Sequence, residues 1–156
     1  MFYITSMIVF FLDQLIKYIV TIAMTPNQTV PLIKNILHLT YVQNQGAAFG
    51  LFWGWRSILI LIGIALVAFM IYFYSRSEKS FWLSISLGSI VGGSLGNLFD
   101  RIFRHYVVDI IDLRFPYGPY GWPVFNLADT MINAGIFLLI VMLLFNKEGK
   151  NASHSS

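Results

Sequence analysis

Cysteine is absent from the 156-residue chain, which removes disulfides, iron–sulfur clusters, cysteine zinc sites and thiol nucleophiles together. Charge is scarce, at 11% of residues against a usual share of about 25%. The ten basic residues behind the net charge of +3 form no stripe or cluster, so the footprint of a nucleic-acid partner is missing. A His-Glu-x-x-His pair is missing too, and His38, His105 and His154 lie in loops or the tail without ligand spacing. No metal is therefore expected. There is no Gly-x-Ser-x-Gly elbow. The glycines between 88 and 96 lack the Lys-Ser/Thr that would follow in a phosphate loop, and no cofactor is expected.

What the chain has instead is apolar surface. Hydrophobic residues make up 57% and aromatic residues 17%, with a mean hydropathy of +0.71. A soluble domain this small keeps too much of its surface wet to hide so much, so the bilayer must be part of the solvent. The expected fold is a single membrane-embedded domain, 1–156, with four transmembrane helices. A helix needs about 20 mostly apolar residues to cross the hydrocarbon core. Arg56 and Arg76 bracket Ser57–Ser75, Lys79 and Asp100 bracket Ser80–Phe99, and Asp129 and Lys147 bracket Thr130–Asn146. Phe2–Met24 forms a further span, interrupted by Asp13, Gln14 and Lys17 and ended before Pro26. It has neither a basic n-region nor an Ala-x-Ala site, and reads as a retained helix rather than a cleaved signal peptide.

Between the spans, Thr29–Leu32 and Ile36–Val42 are β-branched runs around Lys34-Asn35 and predict a small hairpin or sheet within 25–55. The segment 101–129, punctuated by proline and glycine at 116–123, reads as an irregular aromatic loop at headgroup level. The polar tail from Lys147 reads as disordered. Parity then sorts the polar residues: with both termini on side A, the Asn97–Arg101 end of span three, the Asn126/Asp129 start of span four and both long loops fall on side B. Charge does not orient the molecule. Arg76, Lys79, Lys147 and Lys150 lie on side A, against Lys34, Arg56, Arg101, Arg104 and Arg114 on side B.

Five of the seven acidic residues are aspartates, at 13, 100, 109, 112 and 129, all in or beside spans. An aspartate at a helix centre costs about 2.5–3.5 kcal/mol on insertion scales, so these must face one another, cations or an aqueous cavity. Asp13 and Lys17 stand i, i+4 in the order that favours an intrahelical pair. Lys17 also lies near enough to the B end to snorkel or meet a substrate headgroup. Asn126, Asp129 and Asn133 share a face of span four, where Asn126 and Asp129 are equally candidates for helix caps. Ser84, Gly88, Gly92 and Gly96 recur at fourfold spacing, a face that lets another helix approach closely. Asp100 and Arg101 read as ties at the helix end.

Asp112 suits a surface salt bridge with Arg104 or Arg114. Asp109, flanked by two valines and two isoleucines, suits one less well. Asp109 and Asp129 come from separate elements on side B and can meet in a low-dielectric cleft, where paired carboxylates share one proton and activate water. The Gly-x-Gly-Asp signature of presenilin-like aspartyl peptidases is absent. Two other classes stay open: a non-enzymatic scaffold in which the aspartates pair with Arg101, Arg104 and Arg114, and an ion-coupled transporter. A transporter would want carboxylates in both leaflets, and the side A halves of the spans hold none.

Taken in order, several short pieces resemble bacterial lipoprotein signal peptidase (signal peptidase II) over nearly the whole chain. They are Asp13-Gln14 with Lys17; Asn44-Gln45-Gly46-Ala47-Ala48-Phe49-Gly50; Gly92-Gly93 through Gly96-Asn97 to Asp100-Arg101; Val107-Val108-Asp109; and Phe125-Asn126-Leu127-Ala128-Asp129. The resemblance implies a monomeric aspartyl endopeptidase of the bacterial plasma (inner) membrane, without metal or cofactor. It would cut the signal peptide from diacylglyceryl-modified prolipoproteins just before the lipidated cysteine. The termini would be cytoplasmic and the site near the outer leaflet, placing side B outside among membrane lipids. The catalytic pair maps onto Asp109 and Asp129, and the supporting residues onto Asp13, Lys17, Asn44, Gly46, Asn97, Asp100, Arg101 and Asn126. A β-cradle and a mobile loop over the site map onto 25–55. Two features depart from the family pattern: Thr130 stands where serine is frequent, and the 115–123 insert is long.

Overall fold

A computed structural model describes residues 1–46, 54–114 and 122–152. Four helices are long and apolar enough to cross a membrane: α1 (Phe2–Ala23), α2 (Arg56–Arg76), α3 (Phe81–Phe99) and α4 (Leu127–Ala152). At 1.5 Å per residue, the 19 residues of α3 already come close to the roughly 30 Å of hydrocarbon. Ser80 starts α3 by accepting a hydrogen bond from the Leu83 N–H at 3.1 Å, which satisfies one of the free donors of a helix N-terminus.

The helix α3 is the hub, and its small residues are the reason. A Cβ added at Gly88 would lie 2.8 Å from the Phe2 carbonyl oxygen, and one at Gly92 2.6 Å from that of Ser6, both on α1. One added at Gly93 would lie 2.5 Å from the Ala128 carbonyl oxygen on α4. The small-residue face therefore does what its spacing predicts, and Gly93 extends it to a second neighbour. Gly135 of α4 answers from the other side, at 2.7 Å from the Ser86 carbonyl oxygen. By contrast, α2 has no buried residue: it rests on α3 with its remaining surface toward lipid.

On side B, β1 (Thr29–Ile33), β2 (Leu37–Asn44) and β3 (Val107–Leu113) form an antiparallel sheet in the order β1-β2-β3. The hairpin between β1 and β2 falls at the predicted Lys34-Asn35 turn, where Asn35 takes φ +63°, a left-handed conformation that asparagine tolerates. The even residues Val108 and Ile110 of β3 join Tyr41 and Val20 in a buried cluster under the sheet. The odd residues Val107, Asp109 and Leu113 line a cavity on the opposite face.

Three expectations need correction. The 101–129 segment is not irregular throughout: α3 runs into a π-helical turn, Asp100–Arg104, and then into β3. Both faces of β3 carry an aspartate, which blurs the period-2 signal, and its pairing partner β2 lies far back in the chain. The helix α4 starts one turn before Thr130, so Asp129 is inside it, and the tail read as disordered continues as helix to Ala152. Lysine and glutamate at 147–150 are good helix formers and need no apolar partner to extend one. Residues 47–53, part of the 25–55 segment expected to hold the mobile loop and including the Ala47–Gly50 portion of the Asn44–Gly50 motif, lie outside the described residues, as do 115–121.

Candidate active site

Asp109 reaches the cavity because strand alternation puts its side chain opposite Val108, on the face turned away from α1. Asp129 reaches the same cavity because α4 begins there with a reciprocal cap: the Asp129 N–H donates to Asn126 Oδ1 at 2.9 Å, and the Asn126 N–H donates to Asp129 Oδ2 at 3.2 Å. The capping reading of these two residues and the functional one are thus compatible. The cavity measures about 590 Å³, and Asn44, Asn97, Arg101 and Asn133 line it with the two aspartates.

A chain of amides connects the carboxylates. Asn126 Nδ2 donates to Asp109 Oδ1 at 2.7 Å and to Asn97 Oδ1 at 3.2 Å. Asn97 Nδ2 donates to Asp129 Oδ1 at 2.7 Å, and Lys17 Nζ donates to Asn97 Oδ1 at 3.1 Å. The direction of the Asn97 amide is fixed by elimination: an ammonium can only donate and an ionised carboxylate only accept, so the oxygen must face Lys17 and the nitrogen Asp129. Asn44 Nδ2 holds the other Asp109 oxygen at 2.8 Å, while its own Oδ1 accepts from the Gly46 N–H at 2.9 Å. Arg101 Nη2 donates to the Gly46 carbonyl oxygen at 3.1 Å, tying the end of β2 to α3.

Burial raises the Asp109 carboxyl to about 7. The nearby Asp129 charge pushes in the same direction, and the Asn44 and Asn126 amides pull it back by stabilising the carboxylate. A carboxyl raised this far carries a proton in the acidic to neutral range, which suits general acid–base work. Among the described residues neither Asp109 nor Asp129 forms an ion pair. Arg104 is taken by Asp100, and Arg114 by Asp112 at 2.7 Å on the far face of the sheet, where Asp112 also accepts from Thr40 at 2.7 Å. The third arginine of the scaffold reading, Arg101, lines the cavity with both aspartates and interacts with them electrostatically, so the scaffold reading keeps a nearby charge at this pair but, among the described residues, no ion pair. Nor do the described residues include any group of three or more His, Cys, Asp or Glu able to hold a metal ion.

Beneath the pair lies a closed cluster. Lys17 sits between Asp13 at 2.8 Å and Asp100 at 2.9 Å, with all three side chains fully buried. The intrahelical pair is present as the sequence predicts, but Lys17 does not snorkel or face a headgroup. Burial this complete is tolerable only because every charge is matched. Each carboxylate also holds a backbone amide beside the cavity: Asp13 Oδ1 accepts from the Ala128 N–H at 3.0 Å, and Asp100 Oδ2 from the Val108 N–H at 3.1 Å. Ala128 and Val108 immediately precede Asp129 and Asp109. The cluster thus sets the position of Asp109 and Asp129 through their own backbones, and of Asp129 again through Asn97.

Sequence reasoning overlooked two members of this cluster. Gln14 Nε2 donates to Asp13 Oδ2 and to the Gly96 carbonyl oxygen, each at 3.2 Å, and its Oε1 accepts from Arg104 Nη1 at 2.7 Å. The i, i+4 spacing of Asp100 and Arg104 was the available signal. Asn133, noted for sharing a face with Asp129, lines the cavity.

The geometry has close counterparts. A family profile described as signal peptidase (SPase) II matches residues 5–145. A lipoprotein signal peptidase of Halothermothrix orenii is 45% identical over 92% of this chain and 94% of its own, and one of Syntrophomonas wolfei is 43% identical over 94% and 95%. A bacterial membrane enzyme solved by the in meso method aligns with a TM-score of 0.86 at 30% identity, covering 94% of this chain and 89% of its own. With the profile spanning nearly all of the four helices and the sheet, the chain belongs to the signal peptidase II family of membrane peptidases.

Proposed function

We propose that the protein is an aspartyl endopeptidase that removes signal peptides from diacylglyceryl-modified bacterial prolipoproteins, cutting before the lipidated cysteine. Membership of the signal peptidase II family supports lipoprotein signal-peptide cleavage. The observation that carries the aspartyl mechanism is the bridge Asp109–Asn126–Asn97–Asp129 across one cavity. It holds two carboxyl groups from different elements in a site with room for water and a peptide.

In the reaction the pair holds one proton. The ionised carboxylate takes a proton from water as the water oxygen bonds to the scissile carbonyl carbon, and the protonated partner donates to the carbonyl oxygen. Collapse of the tetrahedral species breaks the C–N bond, with a proton passing to the leaving amine. The pair titrates as a unit, so acid and base belong to the dyad and not to one named residue. Asn97 and Asn126 hold the carboxylates by amide hydrogen bonds in place of ion pairs.

Side B faces the outer leaflet in this reading, with cytoplasmic termini in the plasma membrane. The exposed Leu32, Ile33 and Ile36 beside Lys34 fit a hairpin that rests in the headgroup layer. Because the chain has no cysteine, single-cysteine labelling at Thr29 and Ser77 reads orientation without background. The activity is tested by gel shift on purified protein in detergent, with a prolipoprotein in lipidated and unlipidated forms. Cleavage of the lipidated form alone is expected; equal cleavage of both, or of neither, contradicts the proposed substrate class.

A further inference from the structure

A second groove lies beside the candidate active-site cavity, between α2, α3 and α4. Its floor is a stripe of α3 and the π-helical turn after it, Ser94, Asn97, Leu98 and Arg101, at i, i+3, i+4 and i+7, and its walls come from α2 and from Ile132 of α4. Asn97, Arg101 and Ile132 line both spaces, so the groove adjoins the cavity that holds Asp109 and Asp129. The walls from α2 are Leu59, Ile62 and Leu66. Beyond Asn97 and Arg101, which the groove shares with the cavity, Ser94 is the one polar residue of its lining among the described residues.

The Ser94 hydroxyl is buried, with the residue 6% exposed, and among the described residues it has no hydrogen-bond partner. A serine within a helix commonly donates to the carbonyl four residues back, as Ser84 does to Ser80 at 2.8 Å and Ser6 to Phe2 at 3.0 Å. Another serine of α3, Ser86, donates across to the Gly135 carbonyl oxygen at 2.7 Å. Ser94 does neither. An unpaired buried hydroxyl is costly, and a membrane groove offers no bulk water to relieve it.

The geometry points to Ser94 as a substrate-binding residue that donates to a backbone carbonyl of the signal peptide within the three residues before the scissile bond. This rests on the peptidase reading above and deepens it. A peptide bond presented to water must leave the helical conformation, because helical carbonyls are already bonded and sterically enclosed. The extended stretch then carries carbonyls that nothing in lipid satisfies. Ser94 lies three residues below Asn97, about 4.5 Å along the helix axis. That drop corresponds to between one and two residues of extended chain at about 3.3 Å each. An acyl chain in the same groove would leave the hydroxyl unpaired, whereas an extended peptide satisfies it.

The test compares wild type with Ser94→Ala on two lipidated prolipoproteins, one with ester-linked diacylglycerol and one with ether-linked dialkylglycerol, which lacks the lipid carbonyls. The expected result is a fall of about three- to tenfold in kcat/KM on both substrates, with an unchanged or higher Tm, because the variant loses a hydroxyl that had no partner. A hydroxyl with a merely structural role would give a lower Tm, and that result overturns the proposal. So does wild-type cleavage of both substrates by the variant, or a loss confined to the ester-linked substrate, which would make the lipid ester the partner. If wild type cleaves neither substrate, the peptidase reading fails and the subsite fails with it; if wild type cleaves and Ser94→Ala matches it, only the subsite fails.

Discussion

Asn97 and Asn126 are joined by a single 3.2 Å hydrogen bond, and each gives a further 2.7 Å bond to a different aspartate. Two amides, one on α3 and one capping α4, thereby link Asp109 on a strand to Asp129 on α4, and among the described residues neither aspartate forms an ion pair, although Arg101 lines the same cavity. This distinguishes the pair from Asp13 and Asp100, which share Lys17. Full neutralisation makes the buried cluster a structural support. In the proposed reaction, the lack of an ion pair at Asp109 and Asp129 leaves that pair free to exchange a proton.

The dyad should show itself in the pH profile. With Asp109 raised to about 7 by burial, the shared proton is retained below that pH and lost above it. The log of kcat/KM should therefore fall on the alkaline side with an apparent pKa near 7. Asn44 lowers that value by donating to the carboxylate, so Asn44→Leu should move the alkaline limb to higher pH as well as slow cleavage. A limb that stays in place, or moves to lower pH, would contradict the assignment.

The same group links stability to pH. A carboxyl whose folded value lies above its unfolded value of 3.8 contributes stability that is complete below the unfolded value and is lost as pH rises through the folded one. Asp109→Asn removes this dependence. In thermal melts the Tm of the variant relative to wild type should rise between pH 4 and 7 and level off above; a difference independent of pH would show that Asp109 ionises as it does in water.

Lys17 is the most demanding position in the support. Replacing it with methionine leaves Asp13 and Asp100 buried with their shared cation gone, a loss of about 3–5 kcal/mol for a broken buried pair. Lys17→Met should depress the Tm sharply, and Lys17→Met/Asp13→Asn should recover part of the loss. Equal Tm values for the single and double variants would contradict the shared-cation arrangement.

Helix approach is tested by glycines. A Cβ at Gly92 meets the Ser6 carbonyl oxygen at 2.6 Å and Val9 at 2.8 Å, whereas one at Gly63 meets only Leu98 Cδ1 at 3.4 Å. Gly92→Ala should cost about 1–3 kcal/mol by overpacking. Gly63→Ala should be neutral or slightly stabilising, since alanine is the better helix former. Melting curves of the two variants decide it.

Much of this was legible in the chain because the membrane enlarges each polar exception. Asp13 and Lys17 stand out in an apolar run, and i, i+4 spacing predicts their pair. The fourfold spacing of Gly88, Gly92 and Gly96 predicts a close helix contact, and parity gathers Asn97, Asp109, Asn126 and Asp129 on one side. What stayed hidden depends on contacts distant in sequence. The strand β3 exists because β2 pairs with it, and its two aspartates on opposite faces disguise the alternation. Gln14 and Arg104 meet in the buried cluster from positions 90 residues apart in the chain, a contact that no local pattern records. Ser94 looks like another small packing residue until its neighbours are known.

The central claim is that Asp109 and Asp129 act as one catalytic unit held by, but not neutralised by, their surroundings. Its most direct measurement is single-turnover cleavage of a lipidated prolipoprotein by wild type, Asp109→Asn and Asp129→Asn, each shown by thermal melt to be folded. The expected result is that both folded variants lose at least about 100-fold in rate, the scale of general acid–base catalysis, and that the double variant is scarcely worse than either single one. Retained cleavage by either folded single variant would contradict the dyad.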